Sequence, residues 1–155
     1  MIQRIQSVYL FLVFVFAIVF SVLPLAQFTI DASTVSLKLS NYQSFFNQTQ
    51  LSASWLSIVV IVVWLAALLL TAFMTFQYKK RVLQIKLGKL NMLLHVLLVM
   101  VTFFFIDNLR SQIEGMEFSY GAGILFPVIS LIFILMAIKG IRKDEALIRS
   151  ADRIR

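Results

Sequence analysis

Apolar and charged residues follow one another in long blocks along this chain of 155 residues. A helix needs about 20 apolar residues to cross the roughly 30 Å hydrocarbon core of a bilayer. Four stretches that reach or approach this length contain no Asp, Glu, Lys or Arg: residues 5–30, 39–78, 90–106 and 118–138. Within these stretches we predict four membrane spans, at residues 8–28, 55–77, 90–106 and 120–138.

The spans predict an all-α integral membrane protein, a four-helix transmembrane bundle whose successive helices run up and down. The hydrophobic content of 61% excludes an ordinary soluble domain. In this interpretation residues 1–140 form one membrane domain, and residues 141–155 form a basic, cytoplasmic, amphipathic helix. Trp64 lies near the middle of the second span, so its indole N–H should find a partner inside the bundle.

Basic residues set the predicted orientation, because Lys and Arg in short loops favour the cytoplasmic side of a membrane. Lys38 and Arg110 are the only two on one side of the predicted bundle. Twelve lie on the other side: Arg4, Lys79, Lys80, Arg81, Lys86, Lys89, Lys139, Arg142, Lys143, Arg149, Arg153 and Arg155. We therefore predict that both termini are cytoplasmic. The net charge of +7 follows from this topology, and we do not expect a nucleic-acid partner.

Two short segments in the outer connections alternate between apolar and polar residues. Val35, Leu37 and Leu39 alternate in the first, and Met116, Phe118 and Tyr120 alternate in the second, which leads into the fourth span. A period of two is typical of a half-buried strand. We predict that the two segments pair as a small extracytoplasmic sheet over the bundle. A loop with accidental alternation is the other interpretation.

Polar residues within the third span lie on one helical face. His95 is the only histidine and the only ionisable residue predicted inside the membrane. Asn91 and Thr102 share its face at helical spacing. Such groups often mark proton or solute pathways, but a neutral imidazole is also satisfied by a hydrogen bond to a neighbouring helix. We expect a polar helix interface, with a carrier acting through His95 as the alternative.

The segment at residues 141–155 separates apolar from cationic residues when drawn as a helix. Arg142, Arg149 and Arg153 cluster opposite the apolar face, where they remain free to meet an acidic protein. Lys79, Lys80 and Arg81 add positive charge on the same side of the membrane. Basic residues there also attract anionic lipid head groups, by about 1 kcal/mol each. These six residues are the predicted docking set for a protein or lipid partner.

The sequence contains few candidates for catalytic, metal-binding or cofactor-binding residues. It contains no cysteine and no common hydrolase, metalloprotease or phosphate-loop motif. Asp107, Glu114 and Glu117 lie near one another in the chain, but we interpret them as solvated loop charges. We therefore predict no catalytic residue, no metal site and no cofactor.

The two ends of the chain resemble a known family. The opening Met-Ile-Gln-Arg-Ile-Gln-Ser-Val-Tyr-Leu and the ending Leu-Ile-Arg-Ser-Ala-Asp-Arg-Ile-Arg are similar to small four-span inner-membrane proteins of Bacteroidota, a family of unknown function. The resemblance implies a location in the inner membrane of a Gram-negative bacterium. It implies no activity.

The sequence favours a non-enzymatic accessory or scaffold subunit that docks a larger assembly through its basic cytoplasmic face. Lipid bilayer, a protein partner in a membrane complex and anionic head groups are the expected contacts. A proton-linked or small-solute carrier and a lipid-binding helper are the alternatives.

Overall fold

The computed structural model describes residues 3–30, 33–43, 45, 55–77, 80–112 and 117–152. Four long helices account for most of this part: α1 (Gln3–Val22), α2 (Trp55–Phe76), α3 (Arg81–Arg110) and α4 (Leu125–Asp152). A three-stranded sheet joins them at one end, with strands β1 (Pro24–Ile30), β2 (Ser33–Lys38) and β3 (Glu117–Tyr120). The predicted four-helix architecture with a small sheet is confirmed.

Each helix is long and apolar enough to cross a membrane. Only 22% to 39% of the residues in their most apolar windows are buried inside the protein, so most of these residues lie on the surface. Soluble proteins rarely expose apolar patches of this size to water, and such patches are typical of surfaces that contact lipid. The fold is therefore that of a multi-pass membrane protein.

The first helix ends earlier in the sequence than the hydropathy pattern predicts. The predicted span continues to Phe28, but α1 ends at Val22 and residues 24–30 form β1. Pro24 explains the boundary, because proline cannot continue the helical hydrogen bonds and is acceptable as the first residue of a strand.

Strand β1 lies at the centre of an antiparallel sheet of order β2-β1-β3. Phe28 is opposite Val35 on β2 and Phe118 on β3. The two predicted strands therefore exist, but the prediction that they pair with each other is wrong, because β1 lies between them. Hydropathy assigned β1 to the membrane because it contains no charge.

The sheet covers a hydrophobic core at its end of the bundle, which we call the sheet end. Phe28 is 1% exposed, and its ring centroid lies 5.4 Å from those of Phe45 and Phe118. Ile106 and Leu109 at the end of α3 complete this core. Burial of each large side chain contributes about 1.5–3 kcal/mol.

The opposite end, which we call the basic end, contains the start of α1 and the end of α4. Gln6 and Asp144 meet there, and Tyr9 and Phe133 pack with centroids 6.0 Å apart. Gly88 on α3 lies so close to α4 that a β-carbon would be 2.8 Å from Ile138 Cγ1.

Helix α4 is continuous through Gly140. The membrane domain and the basic segment predicted at residues 141–155 thus share one helix, as far as Asp152. Its 28 residues span about 42 Å, which is longer than the hydrocarbon core.

Candidate functional site

The predicted docking residues belong to the basic end by their positions in the sequence, and the structure describes only some of them. Lys80 and Arg142 are exposed. Arg81 is half-buried, and its Nη1 is a buried nitrogen without a hydrogen-bond partner among the described residues. Lys79 and Arg153 lie outside the described residues, and for Arg149 only the helical backbone is described.

Helix α4 leaves the bundle at this end. Ile141 is fully buried and Asp144 is 9% exposed, so this face of the helix is covered as far as residue 144. Ile148 continues the same face two turns after Ile141, yet it is 45% exposed, and Leu147 beside it is 52% exposed. We call residues 145–152 the projecting segment. Its backbone stays helical while its apolar side chains lose their cover.

A buried polar contact holds α4 to α1 just before the projecting segment. The Gln6 Nε2 amide donates a hydrogen bond of 2.5 Å to Asp144 Oδ2. Gly140, one turn earlier, provides the space, because a β-carbon there would lie 3.0 Å from Gln6 Cγ. The sequence alone assigns no role to either Asp144 or Gln6. No local signal could reveal a contact between residues 138 positions apart.

A second polar group lies inside the bundle, between α2 and α3. Asn91 Nδ2 donates to Thr71 Oγ1 at 2.8 Å, and Thr71 Oγ1 donates to the Ala67 carbonyl at 2.7 Å. Both Asn91 and Thr71 are fully buried. A hydrogen bond between membrane helices contributes about 0.6 kcal/mol on average. The Asn91–Thr71 bond therefore helps to fix the register of α2 against α3.

His95 lies on the same face of α3 as Asn91, but its hydrogen bond is made within its own helix. Its Nδ1 lies 2.9 Å from the Asn91 carbonyl oxygen, so Nδ1 must carry the proton and donate. The side chain is 1% exposed, and so is that of Thr102, whose hydroxyl oxygen has no partner in the described part of the chain. The predicted stripe of Asn91, His95 and Thr102 is thus buried, and its contact with a neighbouring helix is made by Asn91.

Trp64 meets the expectation that its indole N–H is paired inside the bundle. Nε1 donates to the Ala17 carbonyl oxygen at 2.7 Å and so joins α2 to α1. This bond, the Asn91–Thr71 bond and the Gln6–Asp144 bond each connect a different pair of helices.

The arrangement is suited to binding through surfaces. Among the described residues, no three His, Cys, Asp or Glu side chains are grouped as metal ligands would be. The charged groups of the basic end and the uncovered apolar side chains of the projecting segment offer contacts of two kinds to one partner.

One family model matches nearly the whole chain, at residues 2–154, and its description is Domain of unknown function (DUF4293). No curated protein and no solved structure matches significantly.

Proposed function

We propose that this chain, which belongs to the DUF4293 family, is a non-enzymatic accessory or scaffold subunit of a bacterial inner membrane. Its basic end faces the cytoplasm in this proposal, and the projecting segment docks an acidic surface of a larger assembly. The exposure of Ile148 carries the proposal, because this residue continues a face that is buried one and two turns earlier.

The orientation is supported by the distribution of charge. Four helix ends meet at the basic end, and twelve of the fourteen Lys and Arg residues lie, by sequence position, in or near the segments that form these ends. Basic residues near membrane helices are retained on the cytoplasmic side. The resemblance to inner-membrane proteins of Bacteroidota supports the same location.

The length of α4 supports docking beyond the membrane surface. About 20 of its 28 residues are enough to cross the hydrocarbon core, so its last two turns extend past it. Leu147 and Ile148 are each about half exposed there, and full burial of such side chains contributes about 1.5–3 kcal/mol. Cover from a partner would therefore stabilise a complex by about 1 kcal/mol for each residue.

Charge supports an acidic partner. Arg142 and Lys143 are exposed at the base of the projecting segment, and Lys80 is exposed at the start of α3. Cations around an apolar patch match an interface with an apolar centre and a charged rim. Such a rim accelerates association with an acidic surface and selects against basic ones. Anionic lipid head groups would occupy those cations that the partner leaves free.

The alternative of a proton-linked or small-solute carrier needs water beside His95. That side chain is 1% exposed and donates its Nδ1 proton within its own helix. This geometry gives the carrier less support than the basic end gives docking.

The test is purification of the tagged protein from its native membrane in mild detergent, with partners quantified by mass spectrometry. The double substitution Leu147→Ser and Ile148→Ser removes the apolar patch. Val82→Ser with Leu83→Ser is the matched control, because these side chains are also exposed at the basic end, on α3. Loss of a stoichiometric partner only from the first variant supports docking through the projecting segment.

A second variant tests the charges, with Arg142, Arg149 and Arg153 changed to Gln. We expect it to weaken the same complex and to make its retention less dependent on salt. A partner that both variants retain in full, or the lack of any stoichiometric partner of the unaltered chain, would overturn the proposal. A truncated chain that ends at Ala146 would also test docking, because it lacks most of the projecting segment. A chain that ends at Gly140 is unsuitable, because it also lacks the buried Ile141 and Asp144.

A further inference from the structure

Two open grooves flank Phe104 on α3 at the sheet end, far from the projecting segment. One groove has a volume of about 640 Å³ and runs between α2 and α3, along Trp55, Val59 and Val101. The other has a volume of about 450 Å³ and runs along Met100, Phe103 and Tyr120. Phe104 and Asp107 line both grooves, so Phe104 forms the ridge between them.

The walls of both grooves are mostly apolar, and the membrane-spanning part of α3 contributes to each of them. Phe104 is 63% exposed and Met100 is 52% exposed, so these side chains face the surroundings of the bundle. Aromatic rings lie near the ends of the grooves, Trp55 in one and Tyr120 in the other. Trp and Tyr prefer the level of the lipid head groups. The grooves therefore match acyl chains that descend from this level.

Asp107 places a carboxylate where the grooves converge. It is the first charged residue after the apolar stretch at residues 90–106 and is exposed. The structure gives its carboxylate no ion pair or hydrogen bond among the described residues. A carboxylate at this level attracts a cationic head group and repels an anionic one.

Arg110 provides the opposite charge one turn later on α3. Its side chain is exposed and its guanidinium carbon lies 5.6 Å from the centre of the Phe118 ring, which holds it against the sheet. Residues three apart lie on the same side of a helix. An ammonium group at Asp107 and a phosphate at Arg110 would therefore be neighbours, as they are in a zwitterionic phospholipid.

We infer that this surface is a binding site for a two-chain phospholipid with a primary ammonium head group, with one acyl chain in each groove and Phe104 between them. The carboxylate of Asp107 receives the ammonium group, and Arg110 faces the phosphate. The site rests on the grooves and on these two charges, so it is independent of docking at the basic end.

The first test is native mass spectrometry of the purified full chain after exchange into equal amounts of phosphatidylethanolamine and phosphatidylglycerol. We expect one phosphatidylethanolamine to be retained preferentially. Asp107→Asn should reduce that preference by a factor of about 1.4 to 5, the range expected for one exposed ion pair. Glu117→Gln is the matched control, because it removes an exposed carboxylate at the same end that lines neither groove.

Fluorescence quenching tests the position of the lipid in vesicles. In a Trp64→Phe background Trp55 is the only tryptophan, and it lines the larger groove. Phosphatidylethanolamine brominated on its acyl chains should quench the fluorescence of Trp55 more strongly than brominated phosphatidylglycerol does at the same mole fraction of the vesicle lipid. Asp107→Asn should reduce the difference. Equal quenching by the two lipids in the parent, or an unchanged lipid preference in Asp107→Asn in both assays, would overturn the inference.

Discussion

Gly121 lies where β3 passes into α4, and its substitution by alanine tests how the sheet is joined to the helices. A β-carbon at this position would lie 2.0 Å from the Pro24 carbonyl oxygen, whereas real contacts of this kind are at least 3.0 Å long. Gly121 has φ of −86°, a value that any residue adopts. The requirement for glycine is therefore one of space, and the backbone of Pro24 cannot move aside as a flexible side chain would.

Two effects determine how much Gly121→Ala should lower the free energy of unfolding. The backbones must separate by about 1 Å, and overpacking of this kind costs about 1–3 kcal/mol. The same movement lengthens the hydrogen bond from the Gly121 N–H to the Leu25 carbonyl oxygen, now 2.8 Å, which contributes about 0.5–1.5 kcal/mol. We expect Gly121→Ala to lower the free energy of unfolding by about 1.5–4.5 kcal/mol.

The assay is equilibrium unfolding in mixed micelles with a rising fraction of denaturing detergent, followed by tryptophan fluorescence. Gly88→Ala is the control, because its β-carbon would meet side-chain atoms rather than backbone, with Ile138 Cγ1 at 2.8 Å and Met74 Cε at 2.9 Å. Alanine also gains about 1 kcal/mol over glycine inside a helix, so this variant should stay within about 1 kcal/mol of the parent. A Gly121→Ala protein as stable as the Gly88→Ala protein would refute the reasoning.

Three further predictions use the same unfolding assay. Trp64→Phe removes the bond between α2 and α1 and should cost about 0.5–1.5 kcal/mol, while Trp55→Phe, at an exposed position, should cost less than about 0.5 kcal/mol. A double-mutant cycle of Thr71→Val and Asn91→Leu should give a coupling of about 0.6 kcal/mol, and a coupling near zero would contradict a direct bond. Gln6→Leu should cost about 1–3 kcal/mol by leaving the Asp144 carboxylate buried without its donor, and Asp144→Leu added to it should recover part of that loss.

Much of the architecture follows from the sequence because a membrane makes simple demands. A single apolar segment that crosses the membrane must be helical, since no water is present there to satisfy its backbone groups. The alternation at Val35 and Leu37 and at Phe118 and Tyr120 was likewise enough to predict β2 and β3. These signals are local, and local signals determined the four helices and two of the three strands.

The sequence pattern failed at β1 for a physical reason. Residues 24–30 contain Leu25, Ala26 and Phe28, all buried, and no charge. Hydropathy does not distinguish a strand buried beneath its own protein from the end of a membrane span. Pro24 was the one available signal for the boundary.

The candidate site was less predictable than the fold. Helical spacing identified Asn91, His95 and Thr102 as one face, and all three are buried together. The partners of these side chains depend on which helices are neighbours, as Thr71 for Asn91 and Gln6 for Asp144 illustrate. The exposure of Ile148 could not be foreseen either, because it depends on where the neighbouring helices end.

The position of β1 between β2 and β3 has a consequence for the order of assembly during synthesis. Its hairpin partner β2 leaves the ribosome almost immediately, so one edge of β1 is paired at once. The other edge must wait for β3, which follows after two complete helices. At about 5–20 residues per second this delay lasts roughly 5–15 seconds. Throughout that time one edge of β1 is open; β3 then closes it, and the last helix, which follows β3 directly, completes the bundle.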